Sequence, residues 1–174
     1  MTETAKATPP IEIRSPNGQI VLKQFTPSDA RENFELIDRN RDHLSQFGDD
    51  TAKKYPTLEA VIESIQHPRN PKRLRFAIRN LDRVFMGSVN LTLDEENSSR
   101  GEVGFYMGSE FQGRGFATEA TRLLSEFAFK KLGYETLYAK VHPDNKGSQR
   151  VLAKLGYQET GEKDGDKLFT LTRK

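Results

Sequence analysis

The sequence predicts a mixed α/β fold, in which helices flank one central sheet. Three β-rich segments follow one another in the middle of the chain, separated by polar turns, and this order is typical of an antiparallel meander. Helical and β-rich segments then alternate towards the C-terminus. With 174 residues, the chain is long enough for one domain with a substantial core. We expect a loose polar tail over residues 1–12 and a single domain over residues 13–174.

The N-terminal third predicts a strand followed by two helices. Ile20–Phe25 reads as a strand, and Thr26 or Ser28 then caps a helix that has Pro27 in its first turn. The inward face of this helix is formed by residues at helical spacing, namely Ala30, Phe34, Ile37 and Leu44. A second, shorter helix begins near residue 56 and ends near residue 66, where a segment with two prolines follows.

The middle of the chain predicts the three strands of the meander, Leu74–Ile78, Val84–Leu91 and Gly101–Met107. Polar residues that favour turns separate these strands. Gly87 lies within the second strand, and a glycine in that setting marks a bulge or a close approach of another backbone. The third strand leads almost directly into a second glycine-containing segment.

That segment, Phe111–Ala117 with the sequence FQGRGFA, is the junction between the third strand and a long helix. Gly113 and Gly115 allow the backbone to approach a ligand closely. An amphipathic helix follows to about Leu132, and the first turn of a helix presents free N–H donors and a partial positive charge. The junction therefore predicts a phosphate-binding site, although a plain turn without a ligand is an equally common use of such glycines.

Strands and helices alternate beyond this junction. The central helix carries one apolar stripe, which consists of Phe116, Ala120, Leu123, Leu124, Phe127 and Ala128. Gly133 stands where a left-handed C-cap belongs. Thr136–Val141 then predicts a strand, and a helix begins near Asn145 and ends before Gly156. Two further strands are expected over residues 157–160 and 167–172.

Composition argues against several classes of function. The net charge is +2, and basic residues alternate with acidic ones, so we expect no nucleic-acid partner. The chain has no cysteine, which excludes disulfides and a cysteine nucleophile. It has no apolar run of membrane-spanning length and no signal-peptide core, so we expect no membrane association and a cytoplasmic location. We expect no metal site either, because ligand spacing is lacking among His43, His67 and His142.

Two motifs resemble the GNAT superfamily of N-acetyltransferases. Gln112-x-x-Gly115-x-Ala117 resembles the acetyl-CoA pyrophosphate motif of that superfamily. Asn145-x-x-Ser148, followed by residues 155–157 (LGY), resembles a second signature of its ribosomal-protein-alanine N-acetyltransferase (RimJ/RimL-like) branch. The resemblance covers about residues 22–172. It implies the GNAT fold, a central and mostly antiparallel sheet whose strands splay apart around an acetyl-CoA slot, with flanking helices.

The resemblance also implies how acetyl-CoA would bind as a cosubstrate. Backbone groups of Phe105, Tyr106 and Met107 would pair with its pantetheine arm like an added strand. Asn145 and Ser148 would contact it from the start of the next helix. Backbone amides would hold the pyrophosphate, with an added positive charge from Arg114, and these amides belong to Gln112, Gly113, Arg114, Gly115, Phe116 and Ala117.

Acetyl transfer requires a neutral amine, because an ammonium ion has no lone pair and an alkyl amine has a pKa of about 10. Glu102 is the candidate base, at a position where members of the family place a catalytic glutamate; its alternative role is a solvated carboxylate or a partner of Arg100. Ser148 is the candidate proton donor to the departing sulfur, or simply a residue at a helix start. Without a cysteine, direct attack in a ternary complex is the simplest mechanism.

The acceptor is a protein N-terminus or a small-molecule amine. The resemblance to the RimJ/RimL-like branch favours a protein N-terminus, although relatives of this branch use varied amines. We expect the regions Arg39–Pro71 and Gly161–Asp166 to select it, since both lie outside the motifs. Homodimer formation is also left open by the sequence. An alternative function is an acetyl-CoA sensor of the same fold that lacks transfer activity, and turnover with a panel of amines would distinguish the two.

Two other nucleotide-binding folds fit the glycine junction poorly. A dinucleotide-binding fold expects a third glycine where this chain has Thr118, and it expects two strand–helix halves rather than one. A phosphate-loop NTPase requires Gly-Lys-Ser/Thr after its first glycine, which this junction lacks.

Overall fold

Eight strands form one mixed sheet in the structure, a computed structural model that describes residues 8–174. They are β1 (Glu12–Arg14), β2 (Ile20–Gln24), β3 (Arg73–Asn80), β4 (Phe85–Leu93), β5 (Arg100–Met107), β6 (Thr136–Val141), β7 (Gln158–Lys163) and β8 (Asp166–Thr172). Their order across the sheet is β1-β2-β3-β4-β5-β6-β8-β7. β5 and β6 run parallel, and the other neighbouring strands in the described part of the chain run antiparallel. The predicted mixed α/β fold is confirmed.

Helices cover both faces of this sheet. They are α1 (Ala30–Arg39), α2 (Arg41–Ser45), α3 (Thr51–Lys54), α4 (Leu58–Gln66), α5 (Phe116–Lys131) and α6 (Lys146–Lys154). The main core lies on the face that carries α5, where Leu124 and Ala128 pack with Val103 and Leu137 from β5 and β6. On the opposite face, Ile37 and Val61 from α1 and α4 form a smaller buried cluster. We call these the α5 face and the α1 face.

The N-terminal third differs from the prediction in three places. β1 is an additional strand, and it begins at Glu12, the last residue of the predicted tail; residues 1–7 of that tail lie outside the described residues. The first helix is interrupted at Asn40, whose backbone leaves the helical region and whose side chain donates to Leu36 C=O at 2.9 Å. α3 was not predicted, because four residues are too few to show a periodic pattern.

The predicted inward face of the first helix nevertheless holds across this interruption. Ala30, Ile37 and Leu44 belong to one buried cluster even though Leu44 lies in α2. The predicted cap Thr26 begins a 3-10 turn, Pro27–Asp29, and its N–H donates to the Asp29 carboxylate at 2.8 Å. α1 itself begins after Asp29, so neither Thr26 nor Ser28 is its N-cap. The second predicted helix corresponds to α4, where Thr57 accepts a hydrogen bond from Ala60 N–H.

Gly87 shows the close approach that the sequence predicts. A Cβ atom at this position would collide with the carbonyl oxygen of Tyr106 on the neighbouring strand. The register of β3 against β4 also shifts beside it, between Ile78 and Arg79, so that Met86 is the extra residue of a bulge. A side chain at residue 87 would therefore push β4 away from β5.

Candidate active site

The sheet opens between β5 and β6. Arg100–Glu102 pairs with Thr136–Tyr138, and beyond these residues the two parallel strands separate. A cavity of about 370 Å³ lies at this opening. Its lining includes β5 residues 102–107, β6 residues 139–141, and residues of α2, α3 and the loop between them. We call the opening between the two strands the gap.

On its gap side, β5 beyond Glu102 pairs with no other strand of residues 8–174. Gly108 N–H donates to Met86 C=O on the β4 side, and the Tyr106 carbonyl faces Gly87 on the same side. Because backbone groups alternate along a strand, those of Phe105 and Met107 point into the gap. They are available to an extended ligand, whereas the backbone of Tyr106 is directed at β4.

The gap leads towards the segment of residues 112–117, which we call the phosphate loop. Gly113 and Gly115 have φ angles of +75° and +80°, and a Cβ built on either would meet no atom of the described residues within 4 Å. Glu119 N–H bonds to Gly115 C=O at 3.0 Å, so the amides of residues 116–118 precede the hydrogen-bond ladder of α5. The loop therefore offers backbone donors beside open space that a side chain would fill.

Arg114 is anchored at the edge of this loop. Its guanidinium donates to Glu110 C=O at 3.1 Å and lies over the rings of Phe111 and Phe116, 5.8 and 5.2 Å from their centroids. Gln112 contacts the α1 face of the molecule, with its side-chain nitrogen 3.0 Å from His43 Nε2. His43 in turn lines the cavity, so this contact joins α2 to the phosphate loop.

Glu102 lies where the gap begins. Its carboxylate is 3.6 Å from Lys140 Nζ, and the Tyr138 hydroxyl donates to it over 3.5 Å. Burial raises the pKa of Tyr138 to about 12, and the nearby Glu102 and Asp94 carboxylates add to this rise. Tyr138 therefore stays protonated at neutral pH. The expected partner Arg100 instead stacks on the Tyr138 ring, 4.2 Å from its centroid.

Asn145 and Ser148 lie at the start of α6. The side-chain oxygen of Asn145 accepts from Ser148 N–H at 3.1 Å, which makes Asn145 the N-cap of this helix. Asn145 also lines the cavity, whereas the described lining of the cavity does not include Ser148. Tyr157, near the end of the second motif, is buried, and its hydroxyl is 2.8 Å from Ser125 Oγ.

Comparison with known proteins accounts for this architecture. The family model described as "Acetyltransferase (GNAT) domain" matches residues 19–158. The chain belongs to the acetyltransferase (GNAT) domain family. The GNAT assignment, expected from the two motifs, is confirmed, and so is acetyl-CoA as the cosubstrate that supplies the acetyl group.

Relatives of this GNAT chain include proteins named as N-acetyltransferases. It is 30% identical to the probable N-acetyltransferase YjcK of Bacillus subtilis over 82% of each chain. It is 24% identical to the spermidine N(1)-acetyltransferase of Escherichia coli K12, over 82% of this chain and 75% of that one. Its fold matches RimL, a ribosomal L7/L12 alpha-N-protein acetyltransferase solved with coenzyme A, at a TM-score of 0.80 and 18% identity, over 92% and 98% of the two chains.

The GNAT site also contains residues that the sequence did not single out. Asn90 and Lys140 line the cavity. Lys140 had a recognisable signal, because it lies two residues after Tyr138 in a predicted strand and two-residue spacing puts both side chains on one face. Asn90 gave no such signal, since its position depends on the register of β4 against Gly104.

Charged side chains of both signs line the cavity of this GNAT protein. The acidic ones are Asp49, Asp50, Glu102 and Asp166, and the basic ones are Lys54, Arg73, Arg75 and Lys140. Asp50 and Lys54 form an ion pair at 3.1 Å. Both regions that were expected to select the acceptor contribute to this lining. The first contributes nine residues between His43 and Tyr55, and the second contributes Asp166.

Two further properties bear on the class of the site. Within residues 8–174, no three His, Asp or Glu side chains are arranged to hold a metal ion. No helix of the described chain has the length and apolar character needed to cross a membrane.

Proposed function

We propose that this GNAT protein transfers the acetyl group of acetyl-CoA to a primary amine by direct attack, while donor and acceptor are both bound. One observation carries the proposal: the edge of β5 that pairs with no other strand within residues 8–174 runs from Glu102, at the start of the gap, towards the phosphate loop. Within that loop the Gln112 N–H is bonded to Ser109 C=O, so the donors offered to a ligand are those of residues 113–117. An elongated donor with a diphosphate at one end fits such a path. A carboxylate at the other end suits removal of a proton from an amine.

The donor side of the site uses the backbone of the chain. We assign hydrogen bonding of the pantetheine arm to Phe105 and Met107, and binding of the diphosphate to residues 112–117. Tyr106 supports this edge through its side chain, because its hydroxyl donates to the buried Asn33 at 2.6 Å. Asn145 keeps its predicted contact with the donor through its side-chain nitrogen, since its oxygen is used as the helix cap. Ser148 stays a candidate proton donor for the departing sulfur.

Glu102 is assigned the role of base. Its carboxylate shares the α1 face with the cavity-lining residues of α2 and α3, because alternate residues of β5 point to one face and Tyr106 packs against α1 and α4. An acceptor amine that enters from this face reaches the carboxylate before it reaches the β5 edge. The amine then loses one proton to Glu102, and its lone pair attacks the acetyl carbonyl.

The acceptor is a protein N-terminus or a small-molecule amine. The first class is supported by the fold of RimL and the second by the spermidine N(1)-acetyltransferase relative. Because the cavity carries both acidic and basic side chains, it fits an acceptor that has other charged groups besides the reacting amine. Homodimer formation and a cytoplasmic location stay predictions.

The test is turnover with purified protein. Acetyl-CoA is incubated with N-terminal peptides, polyamines, amino sugars and aminoglycosides, and free thiol and acetylated product are measured together. We expect acetylated product with at least one class of amine. Binding of acetyl-CoA by calorimetry without product from any class would instead favour the alternative, a sensor of the same fold.

A further inference from the structure

Lys140 lies inside the gap beside the residue that we assign as base. Its Nζ is 3.6 Å from Glu102 Oε1, and both side chains are about one-third exposed, at 31% and 35%. Register explains this proximity: Glu102 pairs with Tyr138, and Lys140 is the next residue of β6 on the same face. Lys140 thus reaches Glu102 from the strand that forms the far wall of the gap.

We propose that Lys140 is an intramolecular acetyl acceptor, which this protein modifies with its own acetyl-CoA when no free amine is bound. The inference rests on the proposed function, because it uses Glu102 as the base for both acceptors. Its physical basis is that Lys140 presents a primary amine to Glu102 at ion-pair distance. A free amine must reach the same carboxylate to react.

The step balances in atoms and charge. The Lys140 ammonium gives one proton to the Glu102 carboxylate, and the neutral nitrogen attacks the carbonyl carbon of the thioester. The C–S bond breaks as the C–N bond forms, and a second proton from nitrogen goes to the departing sulfur. The products are an amide at Lys140 and free coenzyme A, and Glu102 returns its proton to solvent. Holding Lys140, Glu102 and the bound thioester together in one complex favours this reaction over acetylation of an exposed lysine.

A second lysine–glutamate pair has similar geometry but lies outside the cavity, and we expect it not to react in the same way. Lys167 Nζ is 3.4 Å from Glu159, and the Lys167 side chain is 25% exposed, much like that of Lys140. Lys167 pairs with Val141, so its side chain lies on the opposite face of the sheet from Lys140. Neither Lys167 nor Glu159 is among the described residues that line the cavity. This pair is an internal control for chemical acetylation by the thioester.

Modification would change the site itself. An amide at Lys140 has no positive charge, so the ion pair with Glu102 is lost. The added acetyl group also occupies the end of the gap where the acceptor amine has to approach the base. The modified protein should therefore acetylate free amines more slowly than the unmodified protein.

The experiment incubates the full chain with acetyl-CoA alone and follows each lysine by peptide mass spectrometry. We expect Lys140 to be acetylated about tenfold faster than Lys167, or more, which corresponds to a difference of about 1.4 kcal/mol in activation free energy. Glu102→Gln should bring the Lys140 rate close to that of Lys167. Glu159→Gln should change neither the Lys140 rate nor turnover of free amines. Lys140→Arg keeps the positive charge and should eliminate acetylation at residue 140, so that only the slower acetylation of other lysines is left.

Three outcomes would overturn the inference, and they separate it from the proposed function. Equal rates at Lys140 and Lys167 would mean chemical acetylation only. Turnover of a free amine without modification of Lys140 would overturn the inference and leave the proposed function in place. Absence of both reactions, in protein that binds acetyl-CoA, would overturn both.

Discussion

The side-chain oxygen of Asn40 accepts two hydrogen bonds from Ser109, one from its N–H at 3.0 Å and one from its hydroxyl at 2.8 Å. Asn40 is buried at the break between α1 and α2, and its side-chain nitrogen donates to Leu36 C=O. Ser109 follows β5 and leads into the phosphate loop. One side chain therefore fixes the helices of the α1 face to the segment that positions the loop.

Replacement of Asn40 by alanine tests this link. We expect Asn40→Ala to lower the free energy of unfolding by about 1–3 kcal/mol, because buried polar groups lose their partners. Asn97→Ala is the matched control, since Asn97 also accepts from the N–H and hydroxyl of one serine, Ser99, but in an exposed loop. Its effect should stay within about 0.5 kcal/mol. Urea unfolding measures both, and equal losses would contradict the proposed importance of burial.

Glycine at residue 115 is expected to be required for donor binding. We expect Gly115→Val to weaken binding of acetyl-CoA at least about tenfold, or about 1.4 kcal/mol, because the side chain would fill the space beside the loop amides. Gly133→Val is the control for backbone strain, since Gly133 has a φ of +75° and a Cβ built on it also meets no atom of residues 8–174 within 4 Å. By calorimetry, the Gly133→Val variant should bind acetyl-CoA with nearly unchanged affinity. Equal losses of affinity would remove the phosphate loop from the donor site.

The assignment of Glu102 as base predicts a characteristic pH profile. We expect Glu102→Gln to lower kcat about 100-fold or more while the affinity for acetyl-CoA is retained. The loss should be greatest at low pH, where few amine molecules are already neutral, and it should shrink as pH rises towards the pKa of the amine. Glu159→Gln is the control, because Glu159 is a similarly paired carboxylate outside the cavity. Full activity of the Glu102 variant at every pH would exclude this role.

The buried hydroxyl of Tyr157 should make the folded protein less stable in alkaline solution. Burial raises its pKa from 10.0 to about 12, although the hydrogen bond with Ser125 opposes the rise. A raised pKa in the folded state means that stability is fully present below about pH 10 and is lost as pH rises towards about 12. The loss from this residue is about 2–3 kcal/mol over that range. Unfolding of Tyr157→Phe should depend less steeply on pH than that of the unchanged protein; parallel curves would contradict the assignment.

Much of the fold was predictable because its elements carry strong local signals. α5 has a six-residue apolar stripe between two glycines, and the structure places the helix between Gly115 and Gly133, both in the left-handed conformation. β1 and α3 were missed, because three or four residues give no measurable period. Asn40 interrupts the first helix through a contact with Ser109 that no local pattern reveals.

The candidate site also has a part that the sequence could predict and a part that it could not. The phosphate loop could be predicted because its glycines and the following helix are consecutive in sequence. The pairing of Glu102 with Lys140 could not, because it depends on the register of a parallel strand pair that brings distant segments together. Arg100, the nearer basic residue along the chain, was expected instead, and it lies over the Tyr138 ring.

The short pairing between β5 and β6 has a consequence for the lifetime of the protein. The first five strands and the last three share little backbone hydrogen bonding, so a donor lodged between them would join two weakly connected parts of the sheet. A ligand at 100 times its Kd stabilises the folded state by about 2.7 kcal/mol. Protein starved of acetyl-CoA would then open more often to proteases than protein that is well supplied, and its abundance would follow the acetyl supply of the cell.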